Sequence, residues 1–190
     1  VTGVIPCGTT GEAPTLSTDE RKQLIETAVE ETKDSSVGVF AGTGTNDTQA
    51  SVELSRWASQ AGVDGILLTT PYYNKPTQEG LQKHFLKIAD AVSCEVMPYN
   101  VPSRTGIHLS VETVVALSRH ERINSLKEAS GDLSYVSSLV DELRLNGTKL
   151  NLLSGDDPTF LPFLAVGGVG VVSVASNLLP RGMVALFRAM

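Results

Sequence analysis

Short β-rich runs alternate with amphipathic helical stretches from one end of this 190-residue chain to the other, and that rhythm restricts the fold more than any other feature. Thr2–Cys7, Ser36–Ala41, Gly65–Thr70, Cys94–Tyr99, Ile123–Lys127, Asn151–Ser154 and Val169–Val174 read as strands. The helices between them carry start and stop signals. Ser17-Thr18-Asp19-Glu20 is a capping box, with Leu24, Ala28 and Val29 placed on one face behind it. Asn46 and Asp47 open the second helix, whose stripe includes Leu54, Trp57, Ala58 and Ala61 and which Gly62 closes. Thr77 caps a third, with Leu81, Phe85, Ile88 and Ala89 inward. Ser110 caps a fourth, and Asp132 a fifth that ends at Asn146-Gly147. Asp157-Pro158 pairs an N-cap with proline at the first helical position of a sixth, and Pro180 starts a seventh. Strand–helix units in series call for a parallel sheet covered by helices.

The choice between an open doubly wound sheet and a barrel turns on where polar residues fall. Nearly every strand ends in a small, polar segment: GTTGE at Gly8–Glu12, GTGTN at Gly42–Asn46, TPYYN at Thr70–Asn74, YNVPSRTG at Tyr99–Gly106, KEASGD at Lys127–Asp132, SGDD at Ser154–Asp157 and SVASN at Ser173–Asn177. An open sheet gathers ligands at one switch point. A barrel brings all its strand ends to one mouth. The expected fold is therefore α/β, a (β/α)8 TIM barrel. A closed barrel needs eight units and typically about 250 residues, so residues 1–190 are expected to form one partial barrel domain without its first βα unit and C-terminal helices.

Composition narrows the partners. Lys and Arg number 15 against 21 Asp and Glu, a formal charge of −6, with no basic stripe to neutralise phosphates; no nucleic-acid partner is expected. No apolar run approaches the ~20 residues of a membrane span. Cys7 and Cys94 stand alone, outside any CxxC or Cys/His cluster, which points to a reducing, cytoplasmic location.

The chemistry centres on Lys127. Strand alternation places Ile123, Ser125 and Lys127 on one face and Leu126 on the other. With Leu126 toward the helices, Lys127 points into the barrel near its rim, where desolvation lowers its pKa and yields the neutral amine that attacks a ketone. The alternative is a surface lysine paired with Glu128. Thr9 and Thr10 in GTTGE offer backbone N–H groups and hydroxyls to a carboxylate, unless the segment is only a strand-to-helix turn. GTGTN lacks the third glycine of a dinucleotide loop, with Asp47 in its place, and reads better as a turn. Gly167-Gly168-Val169-Gly170 reads as close backbone approach. Tyr72, Tyr73 and Tyr99 all sit at strand ends, where a phenol either passes protons or simply packs. Arg104 offers a bidentate fork to a substrate carboxylate or a loop salt bridge. His84, His108 and His120 share no ligand spacing, and His84 and His120 are expected to be solvated; no metal site is predicted. Asp156-Asp157 reads as a helix start. No Gly-x-Ser-x-Gly elbow exists for acyl transfer by serine.

With GTTGE, PYYN, YNVPSRTG, KEASGD and LLSGDD in this order, the chain resembles the dihydrodipicolinate synthase family, within the pyruvate-dependent aldolases that include N-acetylneuraminate lyase. The resemblance runs the whole length. It implies that Lys127 forms a Schiff base with pyruvate and that Thr9 and Thr10 hold the pyruvate carboxylate. Thr9, Tyr73 and Tyr99 would form a proton relay, and backbone groups at Gly155 and Val172 would complete the pocket. Arg104 would bind the carboxylate of L-aspartate 4-semialdehyde, which separates this reading from a sugar-acid lyase. A third reading is a non-catalytic barrel fragment serving as an interaction module. The resemblance also implies a homotetramer, a dimer of dimers in which Tyr73 reaches a neighbouring subunit's site, and no cofactor beyond the covalent imine. Two departures stand out. Pro98 falls inside a central strand, where a bulge is expected to absorb its missing donor and to shift Tyr99. Thr18, Arg21 and Ala50 replace residues of the family's lysine feedback site, while Asn46 and Tyr72 match it, so weak or absent inhibition by lysine is expected.

Overall fold

A computed structural model describes residues 1–190. Five of the helices begin where a side chain can satisfy the free N–H groups of a first turn. At α1 (Thr18–Thr32) the capping box is complete: Ser17 N–H donates to Glu20 at 2.8 Å and Glu20 N–H to Ser17 Oγ at 3.3 Å. Asp47 accepts from two N–H groups at the start of α2 (Thr48–Gln60). Thr77 caps α3 (Gln78–Ala89), Ser110 caps α5 (Val111–Leu117) and Asp132 caps α6 (Leu133–Leu145). On α1 the buried residue is Ile25, whereas Leu24 is 45% exposed; Ala28 and Val29 only flank the core. This helix touches the sheet along a narrower line than the expected stripe.

Seven parallel strands lie side by side in chain order: β1 (Gly3–Val4), β2 (Gly38–Gly42), β3 (Gly65–Thr69), β4 (Glu95–Asn100), β5 (Ser125–Glu128), β6 (Asn151–Ser154) and β7 (Gly170–Val171). They form a curled sheet with helices on its outer side, the arrangement of an incomplete (β/α)8 barrel; no ladder joins β1 to β7. Each sits where the periodicity placed it, but β1 and β7, paired on one side only, are shorter than expected. Alternation divides the strand residues between two layers. Val39, Ala41, Ile66, Leu68, Val96, Leu126 and Leu152 join a 27-residue cluster beneath the helices. Leu67, Met97, Tyr99 and Val101 pack inside the curl with Ile5, Phe40, Ala129 and Leu153. Ile123 precedes β5 and belongs to the helix-side layer, not to the face of Lys127.

Pro98 causes no bulge against β3: the register runs unbroken from Gly65↔Glu95 to Thr69↔Tyr99. The missing donor is absorbed on the other side. There the Val96 N–H donates to the Arg122 carbonyl, and pairing with β5 resumes only at Tyr99↔Lys127.

The sixth expected helix begins later than Asp157-Pro158. α7 spans Phe160–Ala165 with Thr159 at its N-cap and no side-chain cap. Asp156 accepts from the Thr159 N–H and hydroxyl, while Asp157 accepts from the Val174 and Ala175 N–H groups and so ties the end of β6 to the loop after β7. α8 covers Pro180–Arg188, and a short α4 (Pro102–Thr105), not anticipated from the sequence, carries Arg104. No helix is long and apolar enough to cross a membrane.

Candidate active site

Lys127 is the second-last residue of β5 and faces inward, opposite Leu126. It is 9% exposed, and its Nζ lies 4.1 Å from the centre of the Tyr99 ring on β4, its ladder partner. Burial, with the Arg104 cation adding to it, lowers its pKa from 10.5 to about 8. The ring face pulls the other way, because a π face favours the ammonium. Desolvation wins on magnitude: a shift of that size is roughly 3 kcal/mol against about 1 kcal/mol for the ring contact. The long stem passes beside Gly155. A Cβ there would stand 3.0 Å from Lys127 Cε and 2.8 Å from Ala129 Cβ, so only glycine leaves the channel open.

The surface ion pair with Glu128 is not formed. Glu128 faces the helix layer among Leu133, Val136 and Phe163 and accepts from Asn100 Nδ2 at 2.6 Å and from the Ser130 N–H. Arg104 is exposed and makes no salt bridge, which leaves its guanidinium available; its charge lowers the pKa of both Lys127 and Tyr99. On Tyr99 the larger influence is burial, which raises its pKa overall.

The GTTGE segment turns through a short 3-10 helix, Thr9–Gly11, at the end of β1. The hydrogen bonds inside it use the N–H groups of Gly11, Glu12 and Ala13. The N–H groups and hydroxyls of Thr9 and Thr10 make none, so four donors remain at one strand end. Gly155 and Val172 have their N–H groups committed, to the carbonyls of Glu128 and Ser154 respectively, and what they can offer a ligand is their own carbonyls. Tyr73 does not join the cluster within this chain: it is 90% exposed and holds a left-handed backbone, φ 71°. Tyr72 is 39% exposed beside it.

The remaining sequence features find structural employment. At Gly44 a Cβ would stand 2.6 Å from the Thr69 backbone nitrogen, so GTGTN is a turn pressed against β3. Gly168 is pressed equally hard against Phe163. His84 is buried rather than solvated: Nδ1 meets Thr48 Oγ1 at 2.8 Å, Nε2 has no partner, and burial lowers its pKa to about 4. His120 is also largely covered, with Nε2 on Asp90 and Nδ1 accepting from the Arg122 N–H. Cys7 and Cys94 are unpaired thiols whose pKa values burial raises. A groove of about 510 Å³ between α5 and α6 lies in the helix layer, among Val111, Val115, Arg119 and Glu142, rather than at the strand ends.

Sequence reasoning passed over Asn100 and took Glu128 only as a surface partner of Lys127, although both stand inside the motifs YNVPSRTG and KEASGD. Their signal was adjacency: each directly follows an inward residue, Tyr99 or Lys127, and alternation sends it outward. Ser125, expected on the face of Lys127, and Thr69, which was unremarked, both have buried hydroxyls lacking partners.

The arrangement sets a buried, easily deprotonated amine against a phenol, with a free guanidinium to one side and strand-end donors on β1. Such a set can bond covalently to a small keto acid and move protons around it. Comparison with known proteins gives the family. The model of the Dihydrodipicolinate synthetase family matches residues 1–190. The 4-hydroxy-tetrahydrodipicolinate synthase of Leptospira biflexa is 50% identical over 184 residues, 97% of this chain and 61% of that protein. The crystal structure of dihydrodipicolinate synthase from Aquifex aeolicus superposes with a TM-score of 0.95 at 42% identity, covering 100% of this chain and 64% of that one. The chloride-inhibited enzyme from Acinetobacter baumannii, solved with pyruvate, gives 0.94 at 39% identity, with the same coverage. The chain thus spans slightly less than two thirds of the relatives it matches, and with its whole length matched it belongs to the dihydrodipicolinate synthetase family.

Proposed function

We propose that the protein containing this chain is a 4-hydroxy-tetrahydrodipicolinate synthase, a lyase of the class I aldolase type. It would condense pyruvate with L-aspartate 4-semialdehyde on the route to diaminopimelate and lysine. The observation that carries this reading is the amine of Lys127, 9% exposed, over the Tyr99 ring with its pKa near 8. About a tenth of it is neutral at pH 7, against a few parts in ten thousand for an ordinary lysine.

In the proposed cycle the neutral amine attacks the pyruvate ketone, water leaves, and a protonated imine forms. The imine is an electron sink, so the methyl group loses a proton to give an enamine. The enamine attacks the aldehyde carbon, whose oxygen takes a proton to become a hydroxyl as the imine re-forms. The amino group already carried by the semialdehyde then adds to the imine carbon, closing the ring and releasing Lys127 as its amine. The imine itself supplies the activation, so the chemistry calls for no metal or organic cofactor. The free donors of Thr9 and Thr10 suit the pyruvate carboxylate, and the Gly155 and Val172 carbonyls, which can only accept, complete the pocket where a donor such as the iminium N–H or a hydroxyl faces them. Tyr99, in contact with the amine, handles protons locally, in relay with Thr9 and Tyr73. The unpaired Arg104 is assigned the carboxylate of the aldehyde substrate. The outward Tyr73, strained in backbone and without cover in this chain, fits a role in a neighbouring subunit of a homotetramer. The two free thiols fit a reducing cytoplasm.

The test is borohydride reduction in the presence of pyruvate, followed by peptide mapping, with turnover of L-aspartate 4-semialdehyde compared with that of sugar acids. A reduced adduct on Lys127 and selective turnover of the semialdehyde are expected. An adduct elsewhere, or none, would remove the mechanism; preference for sugar acids would reassign the substrate.

A further inference from the structure

Asn100 and Glu128 form the last ladder pair between β4 and β5, one step beyond Tyr99 and Lys127 and on the opposite face. Both are buried, at 0% and 3% exposure. Asn100 Nδ2 donates to Glu128 Oε2 at 2.6 Å, and the second carboxylate oxygen accepts from the Ser130 N–H. Asn100 Oδ1 accepts from the Leu109 N–H at 3.0 Å, which closes the excursion of residues 101–109 back onto the strand it left. That excursion carries Arg104 on α4, and it is pinned again where Thr70 Oγ1 donates to Thr105 Oγ1 at 3.0 Å. A continuous chain of hydrogen bonds therefore runs from the residue after Lys127 to the base of the loop that presents Arg104.

We propose that Asn100 and Glu128 are positioning residues that hold the Arg104 loop in register with Lys127, and so set how a carboxylate-bearing aldehyde meets the carbon held on the amine. The inference deepens the proposed function and rests on it. Burying a carboxylate is a poor way to stabilise a fold, because its desolvation consumes most of what its partners return. What the pair achieves is a single fixed arrangement: a donor fork and an acceptor fork meet in one orientation only.

The test uses a polarity swap in the active, assembled protein. Asn100→Asp alone sets two carboxylates face to face. Glu128→Gln alone sets an amide NH2 group against a donor, whichever way the amide is turned. Together, Asn100→Asp and Glu128→Gln restore one donor–acceptor contact in the reverse direction, and the Leu109 and Ser130 N–H groups keep their acceptors. Each single variant is expected to lose about 30- to 100-fold in kcat/KM for the aldehyde. Most of that loss should appear in its KM. Borohydride trapping with pyruvate alone should slow less than about threefold, because Arg104 adds only the smaller part of the lowering at Lys127 and is not assigned to pyruvate. The double variant should recover to within about tenfold of the parent. Glu128→Asp, which keeps the charge and withdraws it by one methylene, should give the same split more mildly and covers the case in which the single variants do not fold. Unchanged aldehyde kinetics, a double variant no better than the product of the singles, or trapping and turnover falling in parallel with thermal stability would each overturn the assignment. Absence of an adduct in the parent protein would instead overturn the proposed function.

Discussion

Replacing Lys127 with methionine should abolish turnover and make the protein more stable. At neutral pH the folded protein carries this lysine mostly as an ammonium inside a site that disfavours it, as its pKa of about 8 against 10.5 records. Expressed as free energy, that gap is roughly 3 kcal/mol. The contact with the Tyr99 ring returns about 1 kcal/mol while the group is charged, leaving a net gain of about 2 kcal/mol on substitution. The direction with pH follows from the lowered value. Between about 8 and 10.5 the unfolded chain holds a proton that the folded one has released, so the penalty is complete below the lower bound and relieved as pH rises through the window. Methionine fills a similar volume without the charge. Urea or thermal unfolding of parent and variant should show the midpoint raised by about 4–8 °C near pH 7, with the advantage shrinking on approach to pH 10. A variant less stable than the parent, or an advantage of equal size at both ends of the range, would show that the site does not hold its amine against its preference.

Three further outcomes are expected. His84, buried neutral with its pKa near 4, must take up a proton in acid; stability should fall by up to about 3 kcal/mol between about pH 6.5 and 4, and His84→Leu should flatten that part of an acid-unfolding curve, an unaltered curve refuting the assignment. Gly155→Ala places a methyl group against the Lys127 stem; overpacking of about 1–3 kcal/mol expressed at the amine should slow borohydride trapping with pyruvate about 5- to 100-fold, and an unaltered rate would count against the channel. Lysine should inhibit turnover weakly or not at all, because Arg21 spends its guanidinium on the Ala13 carbonyl and Ala50 offers only a methyl group; inhibition at micromolar lysine would contradict this.

The order of elements was legible because two periodicities alternate without ambiguity. Ser17, Asp47, Thr77, Ser110 and Asp132 announce their helices through side-chain oxygens that the structure puts to that use. Where the reading failed, a long-range partner took over a local signal. Asp157 resembles an N-cap but is claimed by Val174 and Ala175, seventeen and eighteen residues further on. Pro98 resembles a bulge, yet which side of the ladder would miss its donor depends on strand order. His84 sits among polar neighbours in sequence, and its burial arises from packing between α2 and α3 and contact with Thr48. At the site, the inward direction of Lys127 was readable from Leu126 alone. The absence of an ion pair at Arg104 was not, because it depends on what the remaining loops leave uncovered, and the outward aim of Tyr73 followed only from the family resemblance.

The seam between β4 and β5 holds two rungs, against five between β3 and β4 and four between β5 and β6. Both rungs lie at the end nearest the amine, above the gap that Pro98 leaves. Below them the Val96 N–H on the Arg122 carbonyl bridges the gap, so opening the seam at the barrel floor breaks fewer ladder bonds than opening it at the amine–phenol pair. A seam of only two rungs can in this way coexist with a close amine–ring contact, because both rungs sit at that contact.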